Sequence, residues 1–281
     1  MLKKHSPAKV NLFLKVLGKR KDGYHDLVTL MQKISLCDEL TFDFLPRGIE
    51  VSCNIPELPV DERNLVYRAA QSYFEMVGYR GGVSIRIHKK IPIGGGLGGG
   101  SSNAAITLLA LRELLALKTR AKDLYSLACT LGADVPFFLF AGAAWAFGRG
   151  DEFKKVQTLP SLWFLLINPG FPVSTKEVYE ALNLGLTNEP NNYKKTRFYI
   201  GRDLSFATLL ANDLEQVTFG RYPFLREVKE ELIKLGALGA LMSGSGPTIY
   251  GIFSEEEKAQ AARASMVASG KHWWTYVARS L

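Results

Sequence analysis

The chain has 281 residues, 47% of them apolar and 22% charged, which suits two domains or one large one around a substantial core. No apolar run reaches membrane-spanning length, Lys4, Lys9 and Lys15 interrupt anything like a signal-peptide core, and no repeat or low-complexity block stands out. Three cysteines (Cys37, Cys53, Cys129) without a CxxC pair suggest reduced thiols in a cytoplasm, four histidines without ligand spacing argue against zinc, and a net charge of +8 points to anions, either nucleic acid or a phosphorylated small molecule.

From the N-terminus, Ser6 to Val16 reads as a strand with Val10, Leu12, Leu14 and Val16 on one face. Lys9 and Asn11 project together from the other face, which the alternation assigns to solvent. Gly18 to Gly23 is a loop by its glycines and Asp-Gly pair, Tyr24-His25-Asp26 follows, and Leu27 to Leu40 reads as one or two further strands. Asp61 to Asn64 carries helix-start chemistry, with Leu65, Ala69, Tyr73, Met76 and Val77 at helical spacing and Gly78 as the stop. Val83, Ile85 and Ile87 then alternate with polar residues as a strand.

That strand runs into Ile91-Pro-Ile-Gly-Gly-Gly-Leu-Gly-Gly-Gly-Ser-Ser-Asn-Ala-Ala105, in which six glycines surround one leucine. Such a stretch exposes backbone amides with no side chains to crowd a ligand. Ser101, Ser102 and Asn103 are good N-cap residues for the apolar helix predicted over 104–117. Strand, glycine loop and helix N-terminus together make an anion site. Gly94-x-Gly96-x-x-Gly99 matches the dinucleotide fingerprint only formally, and the P-loop pattern fails because no Gly-Lys-Ser/Thr closes the loop. A glycine-rich turn without a ligand is the plain structural alternative.

Further along, a helix opens at Thr119, with Leu124, Leu127, Ala128 and Leu131 on one face and Gly132 as its end. Asp134 follows, and its chemistry is open between a cap for a short helix with Pro136 in the first turn and a buried functional carboxylate. Gly148 to Asp151 is a polar turn whose Arg-Gly-Asp is a chance tripeptide. A domain boundary falls between 157 and 158, giving segments 1–157 and 158–281. Trp163 to Ile167 reads as a buried strand, Val173-Ser174-Thr175 leads into a helix holding Val178, Tyr179 and Leu182, and 186–202 reads as a long polar loop. Helices are expected over 204–216, 222–235 and 255–268, with a glycine-serine loop between short strands over 240–250 and a last strand over 273–277. The class is α+β.

Ser6-Pro7-Ala8-Lys9-Val10-Asn11-Leu12, the loop with Pro92, Gly96-Leu97-Gly98, Ser101-Ser102 and Ala104, and Ser243-Gly244-Ser245-Gly246-Pro247 resemble, in order, the three motifs of the galactokinase, homoserine kinase, mevalonate kinase and phosphomevalonate kinase (GHMP) superfamily. Within it, Gly23-Tyr24-His25, the six-glycine loop and Leu131 to Pro136 resemble the branch that phosphorylates the 2-hydroxyl of 4-diphosphocytidyl-2-C-methyl-D-erythritol in the non-mevalonate isoprenoid route. The resemblance implies a two-domain GHMP kinase fold, with a ribosomal-S5-domain-2-like N-terminal domain, a ferredoxin-like C-terminal domain and the active site in the cleft between them. It implies ATP as co-substrate with Mg2+, small-molecule substrates only, and no nucleic-acid or membrane partner.

Residue by residue, the resemblance makes Asp134 the acceptor of the hydroxyl proton, with Lys9 beside it to orient the hydroxyl or stabilise charge. It assigns Pro92, Ile93, Gly94, Gly95, Gly96, Leu97, Gly98, Gly99, Gly100, Ser101 and Ser102 to ATP, with Asn64 and Lys90 at the adenosine. Asn11, Tyr24, His25, Thr175 and Tyr179 become substrate contacts, the two tyrosines on either side of cytosine and His25 at the base edge. Some relatives carry a basic residue where this chain has Glu180. No acidic ligand for Mg2+ is assigned.

Other readings stand beside it: another GHMP small-molecule kinase, a nucleic-acid-binding module or a dinucleotide-dependent oxidoreductase. The binding module suits the positive charge but leaves the glycine loop unexplained and lacks aromatics interleaved with a basic patch. The oxidoreductase needs an acidic residue about 20 positions beyond the fingerprint, for which Glu113 and Asp123 are imperfect candidates.

Overall fold

The computed structural model describes residues 1–140, 142–156, 159–182 and 209–281. The boundary expected at 157/158, the loop expected over 186–202, the basic residues Lys194, Lys195 and Arg197, and the first part of the helix expected over 204–216 lie outside those residues. Two compact units divide the chain: one holds Met1–Lys9, Lys33–Ile93 and Leu97–Gly142, the other Val10–Gln32, Gly94–Gly96 and Ala143–Leu281. Neither is one continuous stretch, because two long strands and the glycine loop contribute to both.

Those strands are β1 (Leu2–Lys19) and β2 (His25–Leu45), longer than the alternation predicts. In the first unit β3 (Gly48–Cys53) lies parallel to β4 (Gly82–His88), and β4 lies antiparallel to β2 from Leu45↔Gly82 to Glu39↔His88. The order there is β3-β4-β2-β1. Helices α1 (Leu65–Val77), α2 (Gly99–Leu114) and α3 (Ala121–Leu131) pack on one another. Asn64 caps α1 by accepting from the Val66 amide, and Gly78 ends it in the left-handed conformation, as its sequence signals require. A 3-10 turn, Pro136–Leu139, closes the unit.

In the second unit β5 (Ala143–Phe147) runs antiparallel on β2, β6 (Glu152–Lys155) runs on β5, and the short β8 (Ala211–Asn212) lies parallel on β1. Within the described part of the helix expected over 204–216, Ala211–Asn212 is therefore a strand, and α5 begins only at Glu215 (Glu215–Arg221). Asn212 explains the difference. Its side chain donates to the Met242 and Gly244 carbonyls, and its Oδ1 accepts from the Leu214 amide, contacts a helical run would not allow.

The same unit holds a four-stranded antiparallel sheet in the order β11 (Trp274–Arg279), β7 (Trp163–Asn168), β10 (Ile249–Phe253), β9 (Gly239–Met242). Helices α4 (Thr175–Ala181), α6 (Phe224–Lys234) and α7 (Glu256–Ala268) complete it. Leu165, Ile167, Met242 and Ile249 of the sheet share a buried core with Val228 and Leu232 of α6 and Ala259, Ala262 and Met266 of α7. Numbered within this sheet the order is 4-1-3-2 with helices after the first and third strands, the ferredoxin-like arrangement expected.

Candidate active site

The glycine loop is held at both ends of its course. Leu97 is buried, and its carbonyl accepts from the Lys9 amide at 3.0 Å. In the second unit the Gly96 carbonyl accepts from Ser243 Oγ at 2.9 Å, and the Gly94 carbonyl accepts from the Val173 amide at 3.3 Å. The third motif is thus a turn joining antiparallel β9 and β10 and also a brace for the loop. Its own Ser245 Oγ lies 2.9 Å from Thr175 Oγ1 at the start of α4.

Helix α2 starts at Gly99, earlier than expected, and its N-cap is Gly98 at φ 69° with no side-chain cap. Amides of Gly99, Gly100 and Ser101 therefore have no acceptor inside the helix, and the dipole adds positive potential beside them. Ser102 and Asn103 do not cap; they are buried and turn to a polar cluster that the alternation pattern conceals. Asp38 of β2 is fully buried, its Oδ2 is 2.5 Å from Lys89 Nζ, and its Oδ1 accepts from the Lys90 and Ile91 amides at 2.8 and 2.9 Å. Asn103 Nδ2 donates to Asp38 Oδ2 and to Ser6 Oγ, each at 2.9 Å, and Ser6 Oγ donates to Ser102 Oγ at 2.8 Å. A buried carboxylate with a cation and several donors is paired as such groups must be. It fixes the backbone entering the loop and the first turn of the helix leaving it.

Lys9 is 4% exposed, so the polar face of β1 is not solvated as expected. Its Nζ lies 3.6 Å from Asp134 Oδ2, and the Asp134 side chain remains 39% exposed. The stem of Lys9 runs under Gly98, where an added Cβ would sit 3.0 Å from Lys9 Cγ and 3.0 Å from Phe138 Cζ. Asp134 does not cap the 3-10 turn, whose N-cap is Val135 without a side-chain hydrogen bond. The helix-cap reading of Asp134 is therefore displaced by an ion pair with Lys9. Asn64 spends its side chain on α1, with Oδ1 on the Val66 amide and Nδ2 on the Pro59 carbonyl. Lys90 is exposed.

The second unit gathers the remaining expected residues. His25 and Tyr179 are stacked, with ring centroids 5.2 Å apart and planes 28° from parallel. Tyr24 is 57% exposed, and the Arg149 guanidinium lies over its ring at 5.2 Å. Arg149 carries no sequence signal beyond a polar turn. Burial lowers the His25 imidazole below its ordinary range, and Lys19 adds to the shift, so the neutral ring with one donor and one acceptor prevails at neutral pH. Asn11 is buried and donates to Thr29 Oγ1 at 2.8 Å. Glu180 lies on the exposed side of α4, 3.9 Å from Lys176.

Comparison with known proteins shows the family. Residues 64–142 match the GHMP kinases N terminal domain, and residues 199–272 match the GHMP kinases C terminal domain. The chain is 53% identical, over 100% of both chains, to 4-diphosphocytidyl-2-C-methyl-D-erythritol kinase of Syntrophus aciditrophicus. It is 46% identical, over 95% of each, to the protein of that name from Syntrophotalea carbinolica. A crystal structure of 4-(cytidine 5'-diphospho)-2C-methyl-D-erythritol kinase superposes with a TM-score of 0.79 at 37% identity, covering 99% of both chains.

Proposed function

The chain belongs to the GHMP kinases, and within them to the 4-diphosphocytidyl-2-C-methyl-D-erythritol kinase family, and from that membership we propose that it transfers the ATP γ-phosphoryl group to the 2-hydroxyl of 4-diphosphocytidyl-2-C-methyl-D-erythritol. The observation that carries the chemical part is the Lys9–Asp134 pair, 3.6 Å apart, with the lysine stem lying under Gly98 at the head of α2. Phosphoryl transfer asks mainly for positioning and for stabilisation of charge on the transferred group. Asp134 takes the hydroxyl proton as the oxygen attacks, and Lys9 holds the carboxylate and offsets charge developing on the phosphoryl oxygens.

Residues Pro92 to Ser102 cradle the ATP phosphates, the amides of Gly99, Gly100 and Ser101 donating to phosphate oxygens with the dipole of α2 behind them. Lys90 approaches the adenosine through an exposed side chain; Asn64 contacts it beyond its capping bonds. Mg2+ would accompany the nucleotide, held largely by its phosphates, and would offset their negative charge. Among the described residues no group of three or more His, Cys, Asp or Glu side chains gathers for a metal.

For the second substrate, Tyr24, which is exposed, and Tyr179, which stacks on His25, supply faces for cytosine. Neutral His25 supplies a donor and an acceptor for its edge. Asn11 and Thr175 complete the contacts. The division expected at 157/158 is kept as part of this reading; it lies between the family matches over 64–142 and 199–272. The protein works in the cytoplasm on small molecules rather than nucleic acid; among the described residues no helix is long and apolar enough to cross a membrane. A coupled assay for ADP release tests the reading, with the cytidine substrate against mevalonate, homoserine and galactose. Turnover confined to the cytidine substrate is expected. A better rate with any of the other three overturns the substrate assignment and leaves a GHMP kinase of other specificity.

A further inference from the structure

Lys33 of β2 is 7% exposed, and its ammonium donates to the Phe138 carbonyl at 3.0 Å and to the Phe140 carbonyl. The same ammonium faces the rings of Phe137 and Phe138, 5.6 and 5.8 Å from their centroids. These four contacts fall on one segment, the 3-10 turn that follows Asp134 together with its C-cap Phe140. Burial alone makes the ammonium easier to deprotonate than usual, with its pKa lowered to about 8. An apolar residue would fill this space without that penalty, so the contacts the ammonium makes need a reason.

From Gly132 to Phe140 the backbone is a run of short turns: Val135 N to Gly132 O at 3.1 Å, Phe138 N to Val135 O at 3.1 Å, Phe140 N to Phe137 O at 3.2 Å. Asp134 sits inside this run, and its own side chain is partly exposed. Buried Val135, Phe137 and Phe138 seat the run on the core, but apolar contacts fix depth better than rotation. The carbonyls at its C-terminal end carry partial negative charge, and an ammonium is the group that satisfies two of them at once. Lys33 is itself fixed by its backbone, whose amide donates to the Gly142 carbonyl at 3.2 Å.

We propose that Lys33 is a positioning residue for phosphoryl transfer, bracing the far end of the 132–140 turn so that the Asp134 carboxylate stays aligned with Lys9 and the attacking hydroxyl. The inference rests on the reading of Asp134 as proton acceptor. A displacement of about 1 Å at a reacting group lowers rates by up to a hundredfold, so a brace at this distance is enough to matter.

The test is a double-mutant cycle of Lys33→Met and Asp134→Asn in the full chain, with kcat and both KM values measured per folded molecule. Lys33→Met should lower kcat at least tenfold with KM for ATP changed less than twofold. In the Asp134→Asn background the same substitution should add less than a twofold loss, because the group it positions is gone. Lys33→Gln, which keeps an N–H donor without the charge, should recover part of the loss and serves if Lys33→Met does not fold. Near-normal kcat in folded Lys33→Met and Lys33→Gln, or equal losses in both backgrounds, overturns the brace while leaving Asp134 its role. Near-normal kcat in Asp134→Asn alone instead removes the reading underneath.

Discussion

Two side chains that the sequence offers as ordinary strand and turn residues meet at 3.6 Å, and the meeting decides what each can do. Asp134→Asn keeps the shape and removes the proton acceptor; Lys9→Ala removes the cation. Each should lower kcat about a hundredfold or more, the usual range of general-base contributions, while ATP still binds. Near-normal turnover in Asp134→Asn, followed by ADP release, would end the general-base assignment. The substrate contacts are subtler. Tyr179 stacks on His25, and the Arg149 guanidinium lies over the Tyr24 ring. Stacking on an aromatic ring contributes about 1–3 kcal/mol per base. Tyr24→Ala and Tyr179→Ala should each raise KM for the cytidine substrate roughly tenfold and leave KM for ATP nearly alone. Equal effects on both KM values would point to lost packing instead.

At the scale of elements, the glycine loop shows what a sequence pattern carries and what it conceals. Strand, glycines and helix were legible because φ > 0 and close backbone approach leave few residue choices. The helix start is hidden because Ser102 and Asn103 look like caps, yet Asn103 bonds to the buried Asp38–Lys89 pair and Ser102 to Ser6 beside it, partners that lie far away in sequence. No local signal in β2 announces Asp38. Gly98 combines both constraints: φ is 69°, and an added Cβ would meet Lys9 Cγ at 3.0 Å. Gly98→Val should therefore raise KM for ATP at least tenfold and also depress kcat by displacing Lys9, with KM for the cytidine substrate little changed. Unchanged ATP affinity in a folded Gly98→Val variant would remove the phosphate role of the loop.

Across the whole molecule, the α+β class could be read from periodicity, which depends on local alternation, whereas the ferredoxin-like sheet was implied only by the resemblance of the three motifs. The burial of Lys9, Asn11 and Lys33 could not, because alternation assigns charged and amide side chains to solvent and only tertiary packing overrides it. Lys33 gives that override a measurable consequence in global stability. Its pKa is lowered by burial to about 8, against about 10.4 in an unfolded chain. Between those values the unfolded state holds more protons than the folded one, so stability from this group rises with pH, and the penalty of the buried charge is fully present below about 8. The span corresponds to roughly 3 kcal/mol as an upper scale. Tyr250 works the other way at higher pH: burial raises its phenol well above 10, so the unfolded state releases its proton first and stability falls there. Urea unfolding of the intact chain at pH 7.5, 8.5 and 9.5 separates the two when the wild type is compared with Lys33→Met, because Tyr250 is common to both. The stability of the wild type relative to the variant should increase steadily across that range. A difference that stays flat with pH would mean that Lys33 keeps its ordinary proton affinity inside the fold.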